Sequence, residues 1–145
     1  MPLITRLFIK SGLIFFFISL LIGIAAQIQS LYFPAIIPLF WHTLMVGWIT
    51  QIIMGVSMWM FPGRKKEESF QNQKWGWITY VFLNTGLALR VIVEPFVNVS
   101  GPEFWKMLLV ISAVFQFVAV CSYVIEIWPR VMSPKQRIKK KRAAS

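Results

Sequence analysis

The sequence contains a single histidine, His42, and a single cysteine, Cys121, among 145 residues. One thiol leaves no disulfide framework and no CxxC metal site within this chain. We also find no Ser/His/Asp set, no HExxH motif and no phosphate-binding glycine loop. The usual catalytic patterns are therefore missing, and the sequence leaves open whether the protein is an enzyme.

Charged residues are also scarce, at 14% of the chain, whereas 57% of the residues are hydrophobic. In soluble domains about a quarter of the residues are charged. The apolar residues form four blocks, each long enough for one bilayer crossing, which takes about 20 residues. Because a spanning segment must satisfy its own backbone hydrogen bonds, each block is expected to be helical. The sequence predicts an all-α integral membrane protein, a four-helix bundle in contact with the lipid bilayer.

The predicted spans cover residues 11–31, 38–61, 75–96 and 104–128, within a transmembrane domain of residues 1–129. Residues 130–145 are predicted to form a basic cytoplasmic tail. A cleaved signal peptide is an alternative interpretation of the first block, because a basic start precedes it. The length of that block favours a retained helix.

The net charge of +10 is distributed unevenly. Most Lys and Arg residues lie in the N-terminal arm, the second connection and the C-terminal tail, and the first connection has none. Cytoplasmic segments carry an excess of Lys and Arg, so we predict the cytoplasmic membrane with both termini inside the cell. The basic residues follow no nucleic-acid-reading pattern, so no nucleic acid partner is expected.

Ionisable residues within spans are candidates for function, and three away from the span ends on the cytoplasmic side matter most here. At 1.5 Å per residue, His42, Arg90 and Glu94 are all expected in the outer half of the membrane. Arg90 and Glu94 are four residues apart and can pair on one helix face. The alternatives are a self-neutralising ion pair at the interface, or an Arg90 that faces the bundle and binds an anionic group.

Other polar residues in the spans point to helix packing. Gln51 lies on the same face as Gly47 and Gly55, where small residues allow close approach and an amide can hydrogen-bond to a neighbouring helix. Asn84 suggests the same role in the third span. At the end of the fourth span, Glu126 and Arg130 are spaced to form an interfacial pair.

Residues 41–62, WHTLMVGWITQIIMGVSMWMFP, resemble the second helix of subunit I of haem-copper oxidases of the cytochrome c and cytochrome-cbb types. The resemblance is carried by His42, Gly47, Gly55, Trp59 and Pro62. It implies that His42 binds the iron of a b-type haem and that Arg90 holds a haem propionate. It also implies an accessory protein of respiratory electron transfer, either a homo-oligomer or a subunit of a respiratory complex.

One histidine cannot supply the second haem ligand, the high-spin haem ligand and the copper ligands of that family, so the chain is not a self-sufficient oxidase. Haem binding and its absence both remain open. Without haem, His42 would hydrogen-bond to Glu94 or to a backbone carbonyl. The alternative functions are a cofactor-free structural or assembly subunit of a membrane complex, or a small gas-responsive membrane sensor.

Overall fold

A computed structural model describes residues 2–61, 74–97 and 103–131, and these ranges contain helices and no strand. The four long helices are α1 (Leu3–Ala25), α2 (Ile36–Met60), α3 (Lys74–Val93) and α4 (Glu103–Ile127). Short 3₁₀ turns are formed by Gln29–Leu31, Glu94–Phe96 and Trp128–Arg130. All four helical segments are long and apolar enough to cross a membrane. The predicted all-helical architecture with four membrane-length helices is confirmed, and most of the predicted tail, residues 132–145, lies outside the described residues.

The first helix is displaced from its predicted position at residues 11–31. It begins at Leu3 and ends at Ala25. The early start includes Arg6 and Lys10, whose long side chains can extend toward the membrane surface while the backbone stays helical. The helix ends early because Ile28 adopts an extended conformation, at a φ of −97° and a ψ of 111°. The other three helices lie within a few residues of the predicted spans.

The second helix is not a uniform α-helix. It is α-helical over Ile36–Trp41, π-helical over His42–Thr50 and α-helical again over Gln51–Met60. In a π-helix the hydrogen bonds join residues five apart. Such turns are rare in proteins, and those that occur are often at functional sites. The Thr50 hydroxyl follows the same spacing, since it donates to the Met45 carbonyl at 2.8 Å. The predictions from sequence contain no such segment.

The helices pack closely as two pairs, α1 with α2 and α3 with α4. In the first pair, a Cβ atom on Gly47 would lie 2.7 Å from Phe15 Cβ, and one on Gly55 would lie 2.8 Å from Phe8 Cβ. These distances are too short for any side chain, so both glycines are needed for the approach of α1 and α2.

The second pair closes in the same way. A Cβ atom on Gly86 would lie 3.0 Å from both Phe115 Cβ and the Ser112 carbonyl oxygen. The Ser112 hydroxyl donates to the Gly86 carbonyl at 2.6 Å. Small residues therefore bring the helices together within each pair, and the polar contacts between the pairs are those described below.

Large apolar side chains cover the outside of the helices. Phe117 is 69% exposed and Trp128 is 78% exposed, and both lie in or next to α4. In water such a surface would be unfavourable, whereas in a bilayer it is the expected lipid-facing surface.

Candidate functional site

His42 and Arg90 meet where the two helix pairs face each other. His42 is the first residue of the π-helical segment, and Arg90 lies in the last turn of α3. Arg90 Nη1 is 2.7 Å from His42 Nε2. A guanidinium N–H can only donate, so Nε2 must be the unprotonated acceptor and the proton of the neutral ring lies on Nδ1. The contact thus selects one tautomer of His42.

Glu94 approaches the other nitrogen of the same ring. Its Oε2 lies 3.5 Å from His42 Nδ1, which is too long for a good hydrogen bond but close enough for electrostatic attraction. The Glu94 side chain is 9% exposed and that of His42 is 33% exposed. We call His42, Arg90 and Glu94 the His42 cluster. The structure therefore brings together all three ionisable residues that the sequence placed at one depth.

The two charged members of the His42 cluster do not pair directly with each other. Among the described residues, salt bridges join Lys106 to Glu103 and Arg130 to Glu126, whereas the Glu94 carboxylate lies 3.5 Å from the neutral ring of His42. Arg90 donates to His42 instead of Glu94. One cation, one carboxylate and a neutral ring sum to zero charge, which lowers the free-energy cost of burying them.

The arrangement of the His42 cluster bears on haem binding. Iron ligation requires a free lone pair on an imidazole nitrogen. Nε2 faces Arg90 and Nδ1 carries the proton, so neither nitrogen is free in this arrangement. No group of three or more His, Cys, Asp or Glu residues that could hold a metal ion occurs in the described ranges. As arranged, the residues do not fit a haem iron, and haem on His42 stays a prediction that requires Arg90 to release Nε2.

A second polar network joins three helices through Gln51. Ser11 Oγ donates to Gln51 Oε1 at 2.6 Å, and Gln51 Nε2 donates to Asn84 Oδ1 at 3.1 Å. Asn84 Nδ2 in turn donates to the Tyr80 carbonyl at 2.9 Å. Gln51 is completely buried, at 0% exposure. A buried network whose amides have partners rigidifies the packing of helices, so we interpret Gln51 and Asn84 as structural.

A third set of contacts ties α4 to the end of α2. Glu126 Oε1 contacts Arg130 Nη2, and Arg130 Nη1 donates to the Met58 carbonyl at 3.4 Å. We call Glu126, Arg130 and the Met58 carbonyl the Arg130 cluster. The pair is buried within the protein, and Arg130 reaches a carbonyl in the last turn of α2, where helix carbonyls generally lack partners within the helix. Nearby, the Ser57 and Tyr123 hydroxyls are 2.7 Å apart.

The four membrane-length helices and the His42 cluster indicate a multi-pass membrane protein with a charged site inside its spans. The sequence model of the NnrS protein family matches residues 6–135. The chain belongs to the NnrS family, a family of nitric-oxide-responsive proteins. Neither the curated proteins nor the solved structures gave a match.

The resemblance to haem-copper oxidase subunit I is therefore wrong, and so is the assignment to the respiratory chain. Helix packing accounts for Gly47 and Gly55, which face Phe15 and Phe8. Trp59 is exposed, as expected of a tryptophan at the membrane interface, and Pro62 lies outside the described residues. Family membership fits the alternative of a gas-responsive membrane protein.

Proposed function

We propose that this protein responds to nitric oxide and that the response begins at the His42 cluster. Family membership supports the class of function. The location is supported by one observation, the 2.7 Å contact between Arg90 Nη1 and His42 Nε2 inside the spans. Ionisable side chains in such positions are expensive and generally serve a function. This contact also links the two helix pairs, so a change at His42 affects the packing of both.

We further propose the cytoplasmic membrane, with both termini in the cytoplasm. The support is the excess of Lys and Arg at the termini and in the second connection. This orientation puts the His42 cluster nearer the outer surface. Fusions of green fluorescent protein and alkaline phosphatase to either terminus test it, since the former is expected to fluoresce and the latter to be inactive. Active alkaline phosphatase at either terminus would contradict the orientation.

The function is tested by complementation: the gene is deleted from the cells, and a wild-type or variant copy is supplied on a plasmid. We expect growth after a pulse of a nitric oxide donor to recover with the wild-type gene and to recover poorly with His42→Ala. Lys106→Gln is the matched control, because Lys106 is exposed and its salt bridge within the described ranges is to Glu103, at 3.0 Å. Immunoblots check that the variants reach the membrane in equal amounts. Equal recovery with His42→Ala and with wild type would contradict the proposal.

Haem and oligomeric state stay predictions from the sequence. An absorption spectrum of protein purified after haem-sufficient expression tests the first. If haem is bound through His42, the reduced-minus-oxidised bands disappear in His42→Ala. If Arg90 competes for Nε2, Arg90→Leu increases haem occupancy, whereas a propionate-binding Arg90 requires a decrease. Colourless wild-type protein would exclude haem, and its mass in detergent by light scattering tests the predicted homo-oligomer.

A further inference from the structure

Two polar side chains of α2 contact the same neighbouring helix, although a regular α-helix would place them on opposite faces. His42 contacts Arg90 at 2.7 Å and Gln51 contacts Asn84 at 3.1 Å, and both partners lie on α3. The two α2 residues are nine positions apart. At 3.6 residues per turn, nine residues make about two and a half turns, so the side chains would point to opposite faces.

The π-helical segment removes this conflict. It begins at His42 and ends at Thr50, directly before Gln51. Each π turn holds about one more residue than an α turn, so the same nine residues make about two complete turns. His42 and Gln51 then face the same neighbour. The bounds of the segment coincide with the two contacts, which indicates that the π-helix is what assembles the His42 cluster.

The polar contacts at the two ends of the segment differ in burial. Gln51 is completely buried and bonded to both Ser11 and Asn84. His42 is a third exposed at its side chain, and its short hydrogen bond is the one to Arg90. Because π-helices are rare, the segment needs tertiary contacts to persist. The contact at His42 is the more exposed of the two, so a change would begin there and would also move the buried side chains of Leu39 and Thr43.

We propose that residues His42–Thr50 form a two-state element whose π-helical form is held by the Arg90–His42 contact and reverts to α-helix when that contact is lost. In the α-helical form Gln51 stays in place, and Ile36–Trp41 turns by about half a turn together with His42, which also displaces the buried side chains of Ile36 and Leu39. The ring of His42 leaves Arg90 and Glu94. The element regulates the site of the proposed function, and nitric oxide as its trigger rests on that proposal.

Pulsed electron paramagnetic resonance between two spin labels on α2 tests the element in the full chain. With Cys121→Ser as background, labels are attached to cysteines at Ile37 and Ile53, both of which are exposed and lie on either side of the segment. An α-helix has fewer residues per turn than a π-helix, so the same number of residues extends farther along the helix axis. Sixteen residues of uninterrupted α-helix rise about 24 Å. We expect Arg90→Gln to shift the distance to longer values than in wild type.

Two further measurements decide the outcome. A label pair at Leu3 and Leu20 of α1, both exposed, is expected to keep its distance in every variant. Modification of His42 by diethyl pyrocarbonate, read by mass spectrometry on the only histidine, is expected to become several-fold faster in Arg90→Gln. Faster modification with an unchanged Ile37–Ile53 distance would overturn the two-state element. If Arg90→Gln does not fold, Arg90→Lys with the same two readouts replaces it.

Adding nitric oxide to the labelled wild type separates this inference from the proposed function. The same lengthening with nitric oxide supports both. A distance that lengthens in Arg90→Gln but not with nitric oxide supports the two-state element and contradicts the proposed trigger.

Discussion

Arg90 and Glu94 at the end of α3, and Glu126 and Arg130 at the end of α4, have the same four-residue spacing but opposite order along the chain. Glu126 and Arg130 contact each other directly and are both buried. Arg90 donates to His42, and Glu94 faces the other side of that ring. Four-residue pairs on a helix are more favourable when the glutamate comes first, which agrees with a direct pair only at Glu126.

The two arginines also differ in what they bind on α2. Arg130 donates to the Met58 carbonyl, a backbone acceptor with no tautomer or protonation state to change. Arg90 donates to an imidazole nitrogen, which accepts only in one tautomer of the neutral ring. The Arg130 cluster therefore links the helix pairs through an acceptor that cannot change its tautomer, whereas chemistry at the imidazole can open the His42 cluster. We expect variants of the first to lose stability and variants of the second to lose the response.

The largest loss of stability is expected from Arg130→Ala. It leaves the Glu126 carboxylate buried without its cationic partner, and breaking a buried ion pair in this way costs about 3–5 kcal/mol. Unfolding in mixed micelles with increasing SDS measures the change. The double variant Glu126→Leu, Arg130→Met removes both charges and is the control, expected near wild type. A single variant as stable as the double one would contradict the interpretation of a buried pair.

A smaller loss is expected from Glu94→Gln. The amide keeps the shape of the side chain, and Arg90 retains His42 as an acceptor, so we expect a loss of about 1–2 kcal/mol in the same SDS titration. The growth response to the nitric oxide donor should nevertheless fall well below wild type, because the charge facing Nδ1 is gone. Glu103→Gln, at an exposed carboxylate, is the matched control. A full response in Glu94→Gln, or a stability loss as large as in Arg130→Ala, would erase the difference between the two clusters.

The sequence predicted the parts of this structure that depend on length, hydropathy and depth. Four membrane-length helices follow from four apolar blocks, and counting 1.5 Å per residue placed His42, Arg90 and Glu94 at one level. The sequence did not predict that Arg90 contacts His42 and not Glu94, because that contact depends on which face of α2 lies against α3. That face is set by the π-helical segment His42–Thr50.

The π-helix itself has no local signal in the sequence. Its residues, HTLMVGWIT, have the composition of an ordinary membrane α-helix, so the difference has to come from contacts with α1 and α3. The Arg130 cluster shows the same limit. The spacing of Glu126 and Arg130 predicts their pairing, but the acceptor on α2 is a backbone carbonyl at Met58, and any residue type offers one.

The smallest effect is expected at Gln51, between the two clusters. Gln51→Leu removes the hydrogen bonds to Ser11 and Asn84, and interhelical hydrogen bonds in membranes are worth about 0.6 kcal/mol each on average. We therefore expect a loss of about 1 kcal/mol in the SDS titration. Asn84→Leu, which leaves the Ser11 bond intact, should lose less. If Gln51 also anchors the π-helical segment, Gln51→Leu should lower the growth response although it touches no residue of the His42 cluster. A normal response in this variant would show that the response does not depend on Gln51, and the Arg90–His42 contact would then be the contact that holds the segment.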